Sequence, residues 1–173
     1  MKDTVFEKLK KELPGVQKNV LLKNYVTFNI GGPAEYFLLA TKEKEILHAV
    51  GIAKKLKIPI FVMGGGSNLL VADKGVKGLV VKNQVAPPMV LRKNNVIEAP
   101  AGIVLGKLVD FSIQNSLRGL VWAGGLPGTF GGAIRGNAGA FGGETKDAIF
   151  KVKALDNNFN VKNLSNKQCR FSY

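Results

Sequence analysis

The stretch Met63-Gly-Gly-Gly-Ser-Asn68 places three consecutive glycines after the apolar run Ile60-Phe-Val-Met63 and follows them with two short polar side chains. Three adjacent glycines lose much conformational freedom on folding, so the backbone there must do something that side chains would prevent. Successive N–H groups of such a turn can converge on an anion, because no Cβ blocks the approach. Ser67 and Asn68 add donors without bulk. The pattern fits a diphosphate cradle over residues 64–68, although taken alone a glycine run is better read as a tight turn between two strands.

A second segment, residues 119–143, sharpens the first. Ten of its 25 residues are glycine, yet Trp122, Leu126, Phe130, Ile134 and Phe141 interrupt them, so it does not read as a flexible linker. Glycine with spaced large apolar residues suits close backbone approach to a flat ligand. Pro127 fits the first position of a short helix whose free N–H groups could face a phosphate. Neither segment opens a long helix with a GxGxxG pattern and an acidic residue about 20 positions on, so a Rossmann site is excluded. No Gly-Lys-Ser/Thr follows either segment, which excludes a Walker loop.

Other residues with chemical potential are sparse. His48, the only histidine, falls inside a helical pattern over 41–57 and reads as a surface or packing residue. Cys169 is the only cysteine, which excludes an intrachain disulfide and a cysteine metal cluster; it reads as structural. No metal site is expected.

These residues need elements to position them. Phe6, Leu9 and Leu13 keep helical spacing until Pro14-Gly15 stops it. Residues 34–40 read as a buried strand. Thr41 reads as the cap of a helix striped by Ile46, Ala49, Val50, Ala53 and Leu56, with Lys57 and Pro59 at its end. Residues 60–63 form a short buried strand that empties into the glycine loop, and residues 78–82 another strand. A loop at a strand's carboxyl end is where open α/β sheets bind ligands.

After Pro87-Pro88 the texture changes. Residues 89–92 and 96–99 predict a hairpin around Lys93-Asn94-Asn95. Leu105, Leu108, Val109 and Ile113 stripe a helix ending near residues 117–119. A second strand pair, 149–155 and 159–162, turns at Asp156-Asn157-Asn158, and Ser165 caps a new helix left unfinished at Tyr173. The boundary near 83–88 gives two lobes, residues 1–84 and 85–173.

The composition is 46% hydrophobic and 21% charged over 173 residues, enough for two small lobes with real cores. No apolar run approaches the roughly 18 residues of a membrane span, and a cytoplasmic protein is expected. The net charge of +13 suggests anionic partners, but the excess is spread along the chain with no basic run longer than two residues. That pattern argues against nucleic acid as the partner, since nucleic-acid binders concentrate their charge.

Three stretches carry a resemblance over almost the whole chain: residues 24–34 (Asn-Tyr-Val-Thr-Phe-Asn-Ile-Gly-Gly-Pro-Ala), residues 63–71 (Met-Gly-Gly-Gly-Ser-Asn-Leu-Leu-Val), and residues 126–142 from Leu126-Pro-Gly-Thr-Phe through Gly-Asn-Ala-Gly-Ala-Phe-Gly. In order and spacing the chain resembles the UDP-N-acetylenolpyruvoylglucosamine reductase family. The resemblance implies an α+β, two-lobed FAD-binding fold of the vanillyl-alcohol-oxidase type; with His48 and Cys169 read as above, FAD is expected to be held non-covalently. It implies that Gly64, Gly65, Gly66, Ser67 and Asn68, with Leu69 beside them, bind the FAD pyrophosphate. Leu126, Pro127, Gly128, Thr129, Gly132 and Gly139 would line the cleft for the ribityl chain and isoalloxazine.

Family chemistry, by the same resemblance, passes hydride from NADPH to FAD and on to the enolpyruvyl double bond of a UDP-sugar, giving UDP-N-acetylmuramate for peptidoglycan. A serine supplies the proton, assisted by an arginine and a glutamate. The family arginine sits one residue past Cys169-Arg-Phe-Ser-Tyr173, and the serine and glutamate belong to a later substrate lobe. Arg170 and Ser172 do not match those positions. The chain is therefore expected to carry FAD-site residues without a catalytic set and to be inactive alone. The alternatives are a flavin-binding module completed by a partner chain, or another flavoenzyme of the same fold.

Overall fold

A computed structural model describes residues 4–156 and 159–172. Asn157-Asn158 of the expected turn, and the expected end at Tyr173, lie outside the described residues. The chain divides into two compact units, Met1–Val85 and Ala86–Tyr173.

In the first unit the order is α1 (Thr4–Glu12), β1 (Gln17–Leu21), a 3₁₀ turn (Leu22–Tyr25), β2 (Pro33–Ala40), α2 (Glu43–Leu56), β3 (Ile60–Met63) and β4 (Val76–Asn83). The sheet runs β1-β2-β4-β3; β1 is antiparallel to β2, while β2 and β3 both lie parallel to β4. Phe37 on β2 and Phe61 on β3 both sit opposite Val80, and Met63 sits opposite Lys82.

β2 and β4 are central and buried on both faces, which is why their sequences read as near-continuous apolar runs. Alternation sends Tyr36, Leu38, Leu79 and Val81 to one face, where Leu9 of α1 and Ala49, Ile52 and Ala53 of α2 cover them. Phe37, Val80 and Met63 go to the other face. Among the described residues of this unit, no α-helix contributes to that second face. Leu22 of the 3₁₀ turn, with Val26, Leu69 and Val71 of the connections, closes it instead.

Two local expectations change, and one strand had not been expected. Helix α2 begins at Glu43 rather than being capped by Thr41: the Glu45 carboxylate reaches back to accept from the main-chain amides of Thr41 (2.8 Å) and Lys42 (3.1 Å). Those bonds hold Glu45 below the usual carboxylate range. β3 is an edge strand, with Phe61 and Val62 half-exposed, because β4 pairs on only one side of it. β1, with the polar sequence Gln-Lys-Asn-Val-Leu, carries no strand pattern; its pairing with β2 makes it one.

The second unit contains the hairpin β5 (Val90–Arg92) and β6 (Val96–Glu98), α3 (Leu105–Gln114), α4 (Phe130–Gly136), the short pair β7 (Gly139–Ala140) and β8 (Gly143–Glu144), α5 (Thr145–Ala148), the pair β9 (Lys151–Leu155) and β10 (Val161–Ser165), and α6 (Asn166–Cys169). Leu105, Leu108, Val109 and Ser112 form the buried stripe of α3, and Ile113 faces outward. With Ile103, Ala123 and Ala133 they make the core, and Leu126, Phe130 and Trp122 pack onto it. Gly143 lies against the Trp122 ring, where a Cβ would stand 2.4 Å from Cγ.

Helix α3 stops at Gln114, before the expected 117–119, as Ser116 turns left-handed. Ser165 does cap α6, accepting from Gln168 N, but that helix closes at Cys169 with Arg170 left-handed and is not left unfinished. Among the described residues no helix is long and apolar enough to cross a membrane.

Candidate ligand-binding site

The loop after β3 is fixed from below and from the side. Met63 is buried, and the chain then turns through Gly64, Gly65 and Gly66. Gly66 has φ +75°, and a Cβ there would lie 2.2 Å from the Tyr25 carbonyl oxygen. Only glycine permits both the left-handed backbone and that approach. The Gly66 carbonyl in turn accepts from the Thr27 amide at 3.2 Å. Leu69 packs into the second core, so the far end of the turn is anchored as well.

Lys82 supports the loop from the sheet. It is 9% exposed, and its ammonium donates to the Gly64 carbonyl at 2.8 Å. The same nitrogen lies 5.8 Å from the centre of the Tyr25 ring, on the scale of a cation–π contact. Burial pushes the amine's pKa below the ordinary lysine value.

Among the described residues the main-chain amides of Gly65, Gly66 and Asn68 donate no hydrogen bond within the protein, and Gly65 and Asn68 are exposed. Free amides on a rigid, Cβ-free turn are what an anion-binding nest requires.

The second group of expected residues lies in the second unit and is itself split. Leu126, Pro127, Gly128, Thr129 and Gly132 are contiguous with the start of α4; Gly139 lies beyond that helix, on β7. Pro127 is not the first helical residue. Gly128 has φ +113°, its carbonyl accepts from Leu105 N at 3.0 Å, and Thr129 bridges to Val104, so α4 begins only at Phe130, with Thr129 in the N-cap position making no side-chain cap bond. Gly132 follows one turn in; a Cβ there would sit 3.4 Å from Thr129 Oγ1. Thr129 Oγ1 is buried and has no hydrogen-bond partner. A buried hydroxyl left unpaired costs free energy of about 1–3 kcal/mol, and a bound polar group would relieve it.

Asn137, 2% exposed and left-handed at φ +44°, joins α4 to the β7–β8 pair. Its Nδ2 donates to Glu144 Oε2 at 2.7 Å and its Oδ1 accepts from Lys146 N at 3.0 Å. The Lys146 ammonium, then the Asn137 amide, hold Glu144 below the usual carboxylate range.

Sequence reasoning did not single out Tyr25, Thr27, Lys82 or Asn137 as site residues. A lysine ending an otherwise apolar run, Leu79-Val-Val-Lys82, was the available signal for one of them.

His48, Cys169, Arg170 and Ser172 complete the set of residues weighed for chemistry. His48 is exposed on α2, with Nε2 3.1 Å from the Glu12 carbonyl oxygen and 3.5 Å from its carboxylate. Cys169 is partly buried, and burial pushes its thiol pKa up, the opposite of nucleophile activation. Arg170 and Ser172 are exposed. No group of three or more His, Cys, Asp or Glu suited to a metal ion occurs among the described residues.

The chain matches known proteins over most of its length. Residues 34–165 match the FAD binding domain family, and the chain belongs to it. Its fold is the α+β, two-lobed FAD-binding fold of the vanillyl-alcohol-oxidase type. Within that class it is similar to UDP-N-acetylenolpyruvoylglucosamine reductase. The relative from Caldanaerobacter subterraneus subsp. tengcongensis is 38% identical over all of this chain and 58% of its own length. The relative from Clostridium novyi is 36% identical over 91% of this chain and 51% of its own.

The crystal structure of the Thermus caldophilus reductase (MurB) aligns at a TM-score of 0.74 and 31% identity, covering 91% of this chain and 55% of that one. Physcomitrella patens BBE-like 1, at 19% identity and a TM-score of 0.62, shares the fold over 95% of this chain and 38% of its own. The chain thus spans about half the length of the curated relatives it matches.

Proposed function

We propose that the chain is the FAD-binding part of a UDP-N-acetylenolpyruvoylglucosamine reductase, an NADPH-dependent enzyme of peptidoglycan precursor synthesis. The observation that carries this reading is the nest at residues 64–68: a rigid turn whose free amides of Gly65, Gly66 and Asn68 suit the linked phosphates of a dinucleotide. Bound there, FAD supplies hydride-transfer chemistry that no side chain of this protein can.

The protein's own residues bind and orient. Gly64, Gly65, Gly66, Ser67, Asn68 and Leu69 are assigned to the pyrophosphate. Leu126, Pro127, Gly128, Thr129, Gly132 and Gly139 are assigned to the rest of the flavin, with the Thr129 hydroxyl as a hydrogen-bonding group awaiting a partner. None of the 173 residues is assigned to proton delivery.

The test is direct. The recombinant chain, refolded with excess FAD, is expected to retain flavin absorbance through gel filtration and to quench flavin fluorescence. Absence of both would sink the reading. Supplied with NADPH and the enolpyruvyl UDP-sugar, the same 173 residues are expected to leave the substrate unreduced; turnover by this chain alone would contradict that part.

Thr129→Val offers a sharper check of the second group. Replacing an unpaired buried hydroxyl by a methyl is expected to hold or raise the melting temperature of the FAD-free protein. FAD affinity should drop about 5- to 10-fold, as for one lost hydrogen bond. Isothermal titration and thermal melting together read both effects. A variant that binds FAD as tightly as wild type would remove Thr129 from the site.

A further inference from the structure

Among the described residues Lys82 presents a charge without a countercharge. Its strand neighbours are Met63 on β3 and Leu39 on β2, both apolar, and the ring of Tyr25 lies on its third side. Among the described residues no carboxylate forms an ion pair with it. Its acceptor is a neutral carbonyl, that of Gly64. Burying an ammonium against neutral groups is unfavourable, and folds retain such a charge mainly where an anion completes it.

The contact also has a direction. A trans peptide is planar and sets its C=O and N–H on opposite sides. Drawing the Gly64 carbonyl down onto Lys82 turns the Gly65 N–H away from the sheet, toward the exposed side of the loop. That amide is one of those without a partner in the protein. One lysine thus does two things: it orients a donor, and it places positive charge beneath it.

We propose that Lys82 is a positioning and charge-balancing residue for a diphosphate ester held on the 64–68 loop, acting through the Gly64–Gly65 peptide. This rests on the FAD reading above and goes beyond it in assigning the loop's electrostatics to a side chain of β4.

The test uses the whole chain with Lys82→Met, which removes donor and charge, and Lys82→Gln, which keeps a donor N–H for Gly64 and removes the charge. FAD affinity is measured directly, with ADP and adenosine as competitors, and melting is followed in FAD-free protein. Lys82→Met is expected to lose about 10- to 100-fold in affinity for FAD and for ADP alike, with Lys82→Gln between it and wild type. Adenosine, which lacks the diphosphate, should compete equally in all three.

The FAD-free melting temperature of Lys82→Met should hold or rise near neutral pH. The sign follows from linkage. A folded-state amine pKa depressed from 10.5 means the native state carries the full cost of the charge at neutral pH. That cost is relieved as pH climbs through the folded pKa, so any gain in Lys82→Met shrinks there.

Two results overturn the proposal: Lys82→Met binding FAD like wild type, or losing adenosine and thermal stability together with FAD, as a merely structural residue would. If wild type itself fails to bind FAD, the reading of function falls first, and that outcome is distinct from either.

Discussion

Gly66→Ala is expected to lower the unfolding free energy by about 3 kcal/mol, combining left-handed strain with overpacking against backbone. The new Cβ would stand 2.2 Å from the Tyr25 carbonyl oxygen, and φ is +75°. Neither partner can rotate away, because Tyr25 ends a 3₁₀ turn that packs onto Phe37 at a ring separation of 4.6 Å. The loop must therefore lift from the sheet, taking the free amides with it, and FAD binding should disappear. Urea denaturation and flavin titration check the two halves.

Gly51→Ala is the matched control. It lies in the middle of α2 with nothing within 4 Å of the added methyl. It should raise stability by about 0.5–1 kcal/mol, as helix propensity dictates. Equal destabilisation by the two substitutions would refute the steric account.

Asn137→Ala comes next in size. It removes the bonds to the Glu144 carboxylate and the Lys146 amide while leaving a Cβ at φ +44°. One lost bond is to a charged acceptor, and both partners, Glu144 and Lys146, belong to the elements that follow α4. The expected loss is about 3 kcal/mol in thermal or denaturant unfolding. Asn137→Gly should recover about 1 kcal/mol of it, since glycine is at ease in the left-handed region but restores neither bond. No difference between alanine and glycine would mean that backbone strain contributes nothing at this position.

What could be read from the chain follows from how locally each feature is encoded. Ile46, Ala49, Val50 and Ala53 at helical spacing mark α2, and the run 34–40 marks β2, because each segment carries its own burial pattern. β1 was not legible: its residues are mostly exposed and polar, and only antiparallel pairing of Gln17 with Phe37 and of Val20 with Ala34 makes it a strand. Pro127 misled because proline suits a helix start, whereas the left-handed Gly128 and the bridge between Thr129 and Val104 delay the helix to Phe130.

The glycine loop was visible as composition. Lys82 was not visible as its support, since that depends on the register that sets Met63 opposite Lys82. Nor could composition show that the hydroxyl of Thr129 lacks a partner, which is a property of three-dimensional packing alone.

The second face of the first unit's sheet is closed by a 3₁₀ turn and connecting chain, with Leu69 and Val71 among its apolar neighbours. Amides of the same connections, Thr27 to Gly66, Gly32 to Ala72 and Gly75 to Ala72, are locked in main-chain bonds. Ligand loops are commonly the first parts of a protein to open. Here opening the loop would expose a core, so these three amides should exchange with heavy water only as slowly as the central strands do, even with no flavin added.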